Sequence, residues 1–329
     1  MRASNADYTA ADVATGVEQA VVRIRPHVRE TPLEESFVLS QEAEARVFLK
    51  LETGQVSGSF KARGAFNKLL SLSLAEREAG IVTASTGNHA LATAHALATL
   101  GLHGEIFLPA TASAVKLEAL RTRGARLRLV DADPGAVELA ARAYAEERGR
   151  VYISPYNDPE VIAGQGTIAL ELMKTLDAFD TVIVPVGGGG LVAGIAGTLK
   201  THRPTVQVVG CQPTASAVMT HSVEAGRLLD LSSRDSISDA TVGLVEQGSI
   251  TFPICQTCVD EWALIDESEL RSAIRFMAAH HSVMIEGAAA LAVAAVRRRA
   301  DRRRGQSIVL VLSGSHIDLS LLASILAAE

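Results

Sequence analysis

Lysine is scarce in this chain: of its 31 basic residues only Lys50, Lys61, Lys68, Lys116, Lys174 and Lys200 are lysine, and the rest are arginine. Arginine has taken most places where any cation would serve, which singles out the lysines that remain. Cysteine is scarcer, with three residues, of which Cys255 and Cys258 form a lone CxxC and Cys211 is remote. No second ligand pair stands at zinc-finger spacing, so the thiols read as buried or incidental ones in a reducing compartment. No apolar run approaches the roughly 18 residues that span a bilayer. The opening MRASNADYTAADVATGVEQAVVRI lacks a basic start followed by an apolar stretch, so no secretion signal is read there and the cytoplasm is expected. A surplus of basic charge is also missing: the formal net charge of -6 argues against nucleic acid as a partner, which needs a basic surface to displace counterions. The local exception, RRRADRRRG from Arg297 to Gly305, follows the apolar run AAALAVAAV. It reads as a helix C-terminus whose cations complement the macrodipole, with Gly305 ending the helix.

What is present is a large core. With 329 residues, 48% of them hydrophobic and 21% charged, the chain exceeds the usual size of a single core, and two lobes are expected. Short β-branched runs alternate with alanine- and leucine-rich amphipathic stretches. The strands expected are RVFLKLE (46–52), GIVTAS (80–85), GEIFLP (104–109), ARLRLV (125–130), VYISP (151–155), TVIVPV (181–186), VQVVGC (206–211) and SIVLVLS (307–313). Segments such as NHALATAHALATLG lie between them, the alternation of an α/β protein with mostly parallel sheets flanked by helices. Neither an internal repeat nor a low-complexity linker interrupts it. The pattern changes near residues 53 and 153, so 54–152 is expected to form a smaller lobe, and 1–53 with 153–329 a discontinuous larger one.

Four stretches could carry chemistry. In TVIVPVGGGGLVAGIAG a buried strand runs into Gly187, Gly188, Gly189 and Gly190 and then a helix, so several backbone N–H groups and a helix start converge on one anion, suiting a phosphate. Gly188, Gly190 and Ala193 also satisfy the loose dinucleotide pattern, but that fold wants an acid near the end of the next strand, where VQVVGCQ has Gln212. A dinucleotide-binding oxidoreductase is thereby weakened and stays open. ASTGNHA (84–90), at a strand end, sets small polar residues and an Asn at a helix start, where hydroxyls and N–H groups could meet a carboxylate. SIVLVLSGSHID places Ser313 just past another strand, and ligands of open α/β sheets gather at such carboxyl ends. The fourth, SGSFKARG, holds Lys61 among small residues. A phosphate cradle, a carboxylate-binding helix start and an unpaired lysine together suit pyridoxal 5'-phosphate, because an enclosed lysine can lose its proton and attack an aldehyde, which arginine cannot do.

The motifs SGSFKARGA, ASTGNHA, PVGGGGL and LSGSHID, in this order, resemble those of the fold type II pyridoxal-phosphate enzymes, of the tryptophan synthase β-like architecture. Within that family the similarity is to the threonine/serine dehydratase and serine racemase group, from about Thr31 to Ile325. The resemblance implies that Lys61 bonds the cofactor covalently and that Phe60 packs on its ring. Asn88 would meet the ring hydroxyl oxygen, Gly187 to Gly190 the phosphate and Ser313 the ring nitrogen. The substrate carboxylate would go to Ser85, Thr86, Gly87, Asn88 and His89. It implies β-elimination from a 3-hydroxy amino acid such as L-threonine or L-serine, giving a 2-keto acid and ammonia, in a homodimer or homotetramer.

Departures from the group's pattern shape the expectation. Where the racemases carry a serine as a second acid/base, this chain has Thr86, whose added methyl and stiffer χ1 weigh against racemisation without abolishing it. The racemases' divalent-cation site uses a Glu-Pro segment with a later aspartate, whereas QPTASAV has Gln212 and no carboxylate through Val218, so no metal is expected. Ser238, Asp239 and Ala240 replace Ala-Asp-Gly, and Gly314, Ser315 and His316 replace Gly-Gly-Asn. IEGAAALAVAA, beginning around Glu286, together with ASTGNHA also resembles the dehydratases of hydroxyectoine breakdown, which widens the substrate beyond threonine. After LSLLASILAAE nothing remains for a regulatory domain, and isoleucine feedback is not expected.

Overall fold

The computed structural model describes residues 8–298 and 303–327. Ten strands are described: β1 (Leu33–Glu35), β2 (Arg46–Leu51), β3 (Ile81–Ala84), β4 (Gly104–Pro109), β5 (Arg126–Val130), β6 (Val151–Tyr152), β7 (Thr181–Pro185), β8 (Gln207–Pro213), β9 (Glu261–Ile265) and β10 (Ser307–Leu312). They form two sheets, β1-β2-β10-β7-β8-β9 and β5-β4-β3-β6. Every described pairing is parallel except that of β1 with β2, so the α/β class and the mostly parallel sheets expected from the alternation are what the chain forms.

The larger sheet is covered on both faces, and the period of two along its strands sorts the side chains between them. Val182 and Val184 of β7 and Val309 and Val311 of β10 pack with Val17, Leu172 and Ile195 from the helices Ala10–Ile24, Pro159–Thr175 and Gly190–His202. Their neighbours Ile183, Ile308 and Leu310 point the other way, onto Leu39, Ile274, Leu291 and Val293. Such double burial is why these strands read as unbroken apolar runs.

Close helix contact fixes the element that matters most for the site. The helix Lys61–Ser71 lies against Pro159–Thr175 so tightly that a Cβ on Gly164 would sit 2.6 Å from the Arg63 carbonyl oxygen. Beneath it Arg63, fully buried, donates to both carboxylate oxygens of Glu52 at 2.8 Å and to Glu171 at 2.5 and 2.9 Å. Lys50 donates to Glu171 at 2.5 Å, completing a set of two cations and two anions in which only Glu171 is partly exposed. Each charge is paired and hydrogen-bonded, the condition under which buried ions persist.

Two strands were not visible in the sequence. β1 is a three-residue polar edge that pairs antiparallel with β2, and β9 (EWALI) is an edge strand with a half-exposed face. β1 lacks the apolar run that marks the interior strands, whereas β9 has one, WALI, with a single β-branched residue to set it apart from a helical stretch. Cys255 and Cys258 lie buried and free in the helix Thr251–Cys258, and Cys211 is buried in β8. Burial pushes all three thiols up, away from the thiolate. Gln212 accepts at 2.8 Å from both the N–H and the hydroxyl of Thr220, which occupies its side-chain oxygen. Of the basic segment, Arg297 and Arg298 end the described helix Gly287–Arg298, and Gly305 takes φ +75°. Arg299, Ala300, Asp301 and Arg302 lie outside the described residues. No described helix is long and apolar enough to cross a membrane.

Candidate active site

The strand order puts four loops at one crevice. In the larger sheet the chain runs outward from β7 through β8 to β9, then returns on the other side of β7 as β10. The carboxyl ends of β7 and β10 therefore flank a switch point, where ligands bind in open α/β sheets. The tetraglycine loop leaves β7, Ser313 follows β10, and the chain leaving the adjacent β2 reaches Lys61. From the second sheet, β3 delivers Ser85 to Gly87 and the helix Asn88–Leu100. All four line a cleft of about 1040 Å³, with Pro155, Tyr156, Glu286 and His316.

Lys61 is the first residue of its helix, and the loop before it is stitched to the turn after β10. The Phe60 N–H donates to the Ser313 carbonyl at 3.0 Å, Ser59 bridges Gly314, and the Ser315 N–H and hydroxyl both donate to the Gly58 carbonyl at 3.0 and 3.2 Å. The residue borders the cleft but its amine is enclosed, donating 2.8 Å to the Pro155 carbonyl rather than to a carboxylate. Burial pulls its pKa down to about 8, with Glu286 acting against the shift. An ammonium that is enclosed and unpaired gives up its proton readily. Apoenzyme should therefore take up pyridoxal phosphate at a rate that rises about tenfold per pH unit below pH 8 and levels off above it. Stopped-flow absorbance across that range checks this, and a flat profile would count against a neutral amine at Lys61.

The tetraglycine loop is built for an anion. The first helical hydrogen bond after it runs from the Ala193 N–H to the Gly189 carbonyl at 2.8 Å, so the N–H groups of Gly190, Leu191 and Val192 precede the helical ladder. Gly189 takes φ +90°, and the Thr251 hydroxyl orients the peptide before it by donating to the Gly188 carbonyl at 2.7 Å. Side chains are excluded: a Cβ on Gly188 would lie 2.5 Å from the Tyr156 ring, and one on Gly190 2.9 Å from the Tyr156 Cα. The Tyr156 hydroxyl accepts from the Glu246 N–H at 2.9 Å, which holds that ring in place.

Asn88 opens its helix and is clamped between two residues far along the chain. Its Nδ2 lies 2.8 Å from each oxygen of Glu286, and its Oδ1 lies 2.6 Å from the His316 Nδ1. Glu286 is buried, also accepts from the His316 N–H at 3.2 Å, and is pushed up to about 7, first by burial and then by Asp239. Ser85 accepts from the Gly87 N–H at 3.2 Å, and Thr86 stands half-buried in the cleft wall. The His89 imidazole is committed elsewhere. Thr83 donates to the Ile153 carbonyl at 2.8 Å, so its hydroxyl oxygen must accept from His89 Nε2 at 3.0 Å. Burial, reinforced by Lys61, brings the ring down to about 3 and keeps it neutral.

Phe60, Lys61, Ser85 to His89, the four glycines and Ser313 thus come together at one cleft, as the motifs suggested. Sequence reading passed over Glu286, His316 and Tyr156 as parts of the site. Glu286 carried one signal, a lone acid directly before the apolar run GAAALAVAAV.

These residues fit pyridoxal phosphate. The Ser313 hydroxyl is buried without a partner, which suits a ring nitrogen. The glycine loop heads a helix where a Cβ on Gly188, Gly189 or Gly190 would collide with Tyr156, Met219 or Thr251, and the enclosed amine of Lys61 borders the same cleft. Residues 24–314 match the family described as pyridoxal-phosphate dependent enzyme, and the chain belongs to that family. Its cofactor is pyridoxal phosphate, which sets aside the dinucleotide reading left open by the glycine pattern.

Among individual proteins, the chain is 37% identical to the L-threonine ammonia-lyase of Thermotoga maritima over 94% of this chain and 77% of that one. It superposes on the processed form of threonine deaminase isoform 2 from Solanum lycopersicum with a TM-score of 0.91 and 31% identity, covering 97% of this chain and 88% of the other. Maize serine racemase superposes with a TM-score of 0.89 at 30% identity, covering 94% and 95%.

Proposed function

We propose that the protein is an ammonia-lyase that eliminates water from a 3-hydroxy amino acid, L-threonine or L-serine first, to an enamine that tautomerises and takes water back on hydrolysis, so that a 2-keto acid and ammonia are the net products. The observation that carries this reading is the enclosed, carboxylate-free amine of Lys61 in a cleft shared with the unpartnered Ser313 hydroxyl. The similarity to the T. maritima and tomato enzymes supports the same reaction.

Lys61 would hold the cofactor and, once freed by the substrate amine, take the proton from Cα. Gly187 to Gly190 would hold the phosphate, Asn88 the ring oxygen, and Phe60 the ring face. The helix start at Ser85 to Asn88 would bind the carboxylate through its N–H groups and hydroxyls, with His89 contributing its backbone alone. When bound, the cofactor supplies an electron sink for the pair left at Cα. Ser313 offers the ring nitrogen a neutral hydroxyl in place of a carboxylate, which limits that sink and favours prompt loss of the β-hydroxyl over transamination. Ser313→Asp should therefore lower elimination about tenfold and raise transamination, read as amine product per keto acid. An unchanged product ratio would count against this role.

The same reading takes residues 54–152 as a small lobe that closes on substrate, the enzyme as a homodimer or homotetramer, and its place as the cytoplasm. The likeness to maize serine racemase, with the Thr86 hydroxyl in the cleft wall, favours racemisation as the second reading. A keto-acid release assay over a panel of hydroxy amino acids, with chiral analysis of the remaining substrate, tests both. Racemised substrate without keto acid would replace the first reading with the second.

A further inference from the structure

We infer that His316 is a positioning residue: by donating from Nδ1 to the Asn88 Oδ1, it fixes which end of that amide is turned to the ligand in the cleft. The inference rests on the proposal above that Asn88 contacts the cofactor ring.

The two ends of an amide are nearly the same size but opposite in hydrogen-bonding sense, so only its partners decide which way it faces. Asn88 has two such partners. An ionised Glu286, an acceptor only, selects Nδ2 at 2.8 Å. His316 Nδ1 selects Oδ1 at 2.6 Å. The two restraints differ in how they respond to protons. Glu286 faces Lys61 and Asp239 and titrates near 7; once protonated it can donate, and it then tolerates either amide orientation. The His316 ring faces Asn88 and Gly58, with Arg123 as the cation that adds to burial in lowering its pKa. Nδ1 carries a hydrogen in the neutral Nδ1–H tautomer and in the imidazolium alike, so His316 holds the orientation on both sides of the Glu286 titration.

Packing keeps the ring where it is. A Cβ on Gly58 would lie 2.7 Å from the His316 Cε1 and 3.1 Å from Nε2, so the imidazole rests on a glycine backbone with φ +76°. That glycine belongs to the loop leading to Lys61, and its carbonyl is bonded by Ser315. His316 thus ties the loop before Lys61 to the helix start at Asn88. An asparagine at this position could turn either its own donor or its own acceptor to Asn88 and would not hold the amide unaided.

Two measurements test this. In holoenzyme labelled with ¹⁵N-histidine, long-range ¹H–¹⁵N correlation should show His316, assigned by its loss in H316L, with the proton on Nδ1 across roughly pH 6 to 9. A neutral ring protonated on Nε2 would overturn the inference. In the second, H316L should bind pyridoxal phosphate about tenfold more weakly, and its absorbance maximum should shift with pH through about 7 while the wild type's does not. H316N should recover the affinity but keep the pH-dependent maximum, and it carries this arm if H316L does not fold. Variants with wild-type affinity and a wild-type spectrum at every pH would overturn the inference alone. A wild type that takes up no cofactor would instead sink the reading of the cleft on which it depends.

Discussion

Lys61→Arg should yield a folded protein that stays colourless when supplied with pyridoxal phosphate and turns over at least about 10⁴-fold more slowly. Arginine keeps the positive charge and the reach toward the Pro155 carbonyl, but it cannot lose its proton at any working pH. The substitution therefore removes the neutral amine and little else. The fold should tolerate it because the helix is held from its other side. Arg63, two residues on, is locked by Glu52, Glu171 and Thr167, and none of those bonds involves Lys61. Visible absorbance and the mass of the chain after borohydride reduction give the readout: cofactor mass on the wild type, none on the variant. A variant that coloured, or retained activity within tenfold of wild type, would remove Lys61 from the centre of the proposed reaction. Lys61→Ala with added small amines is a useful companion, since partial recovery would assign the loss to the missing base.

The same lysine shows how much of the molecule was legible beforehand. Its scarcity among 25 or so arginines and its small-residue setting marked it in the sequence, and the structure supplies the cause, an enclosed amine without a carboxylate partner. The interior strands were legible because burial on both faces demands unbroken apolar runs, as in β7 and β10. The edges β1 and β9 were not: β1 is polar and three residues long, and a short apolar run such as WALI in β9 does not by its period tell a strand from a helix. In the site, residues within contiguous motifs could be read, because a loop after a strand keeps its members together. Glu286 and His316 could not be assigned. Each is hydrogen-bonded to Asn88, some 200 positions away in the chain, and nothing in local spacing announces such a pairing. His89 shows what a motif leaves undecided: it sits inside a site motif and lines the cleft, yet its ring nitrogen is spent on Thr83.

Gly190→Val should weaken pyridoxal phosphate binding about a hundredfold while leaving the chain folded, the equivalent of the roughly 1–3 kcal/mol that overpacking a tight contact costs. The added Cβ would lie 2.9 Å from the Tyr156 Cα, 3.0 Å from its Cβ and 3.1 Å from its carbonyl oxygen. These are main-chain or near-main-chain atoms, so no side-chain rotation relieves the contact, and either the glycine loop or the Pro155–Tyr156 segment must move. Movement of the loop scatters the N–H groups ahead of Ala193 that would grip the phosphate. Movement of the segment shifts the Pro155 carbonyl that holds the Lys61 amine. Both routes weaken cofactor binding, and the second also disturbs the pH dependence of uptake, so fluorescence titration and uptake kinetics together tell them apart. Saturating cofactor should restore turnover to within a few-fold of wild type, whereas Lys61→Arg is beyond such rescue. Gly54→Ala serves as the control, because a Cβ there meets nothing within 4 Å. Wild-type affinity in Gly190→Val would mean that the anion is held elsewhere than at the helix start after β7, and the assignment of the tetraglycine loop would fall with it.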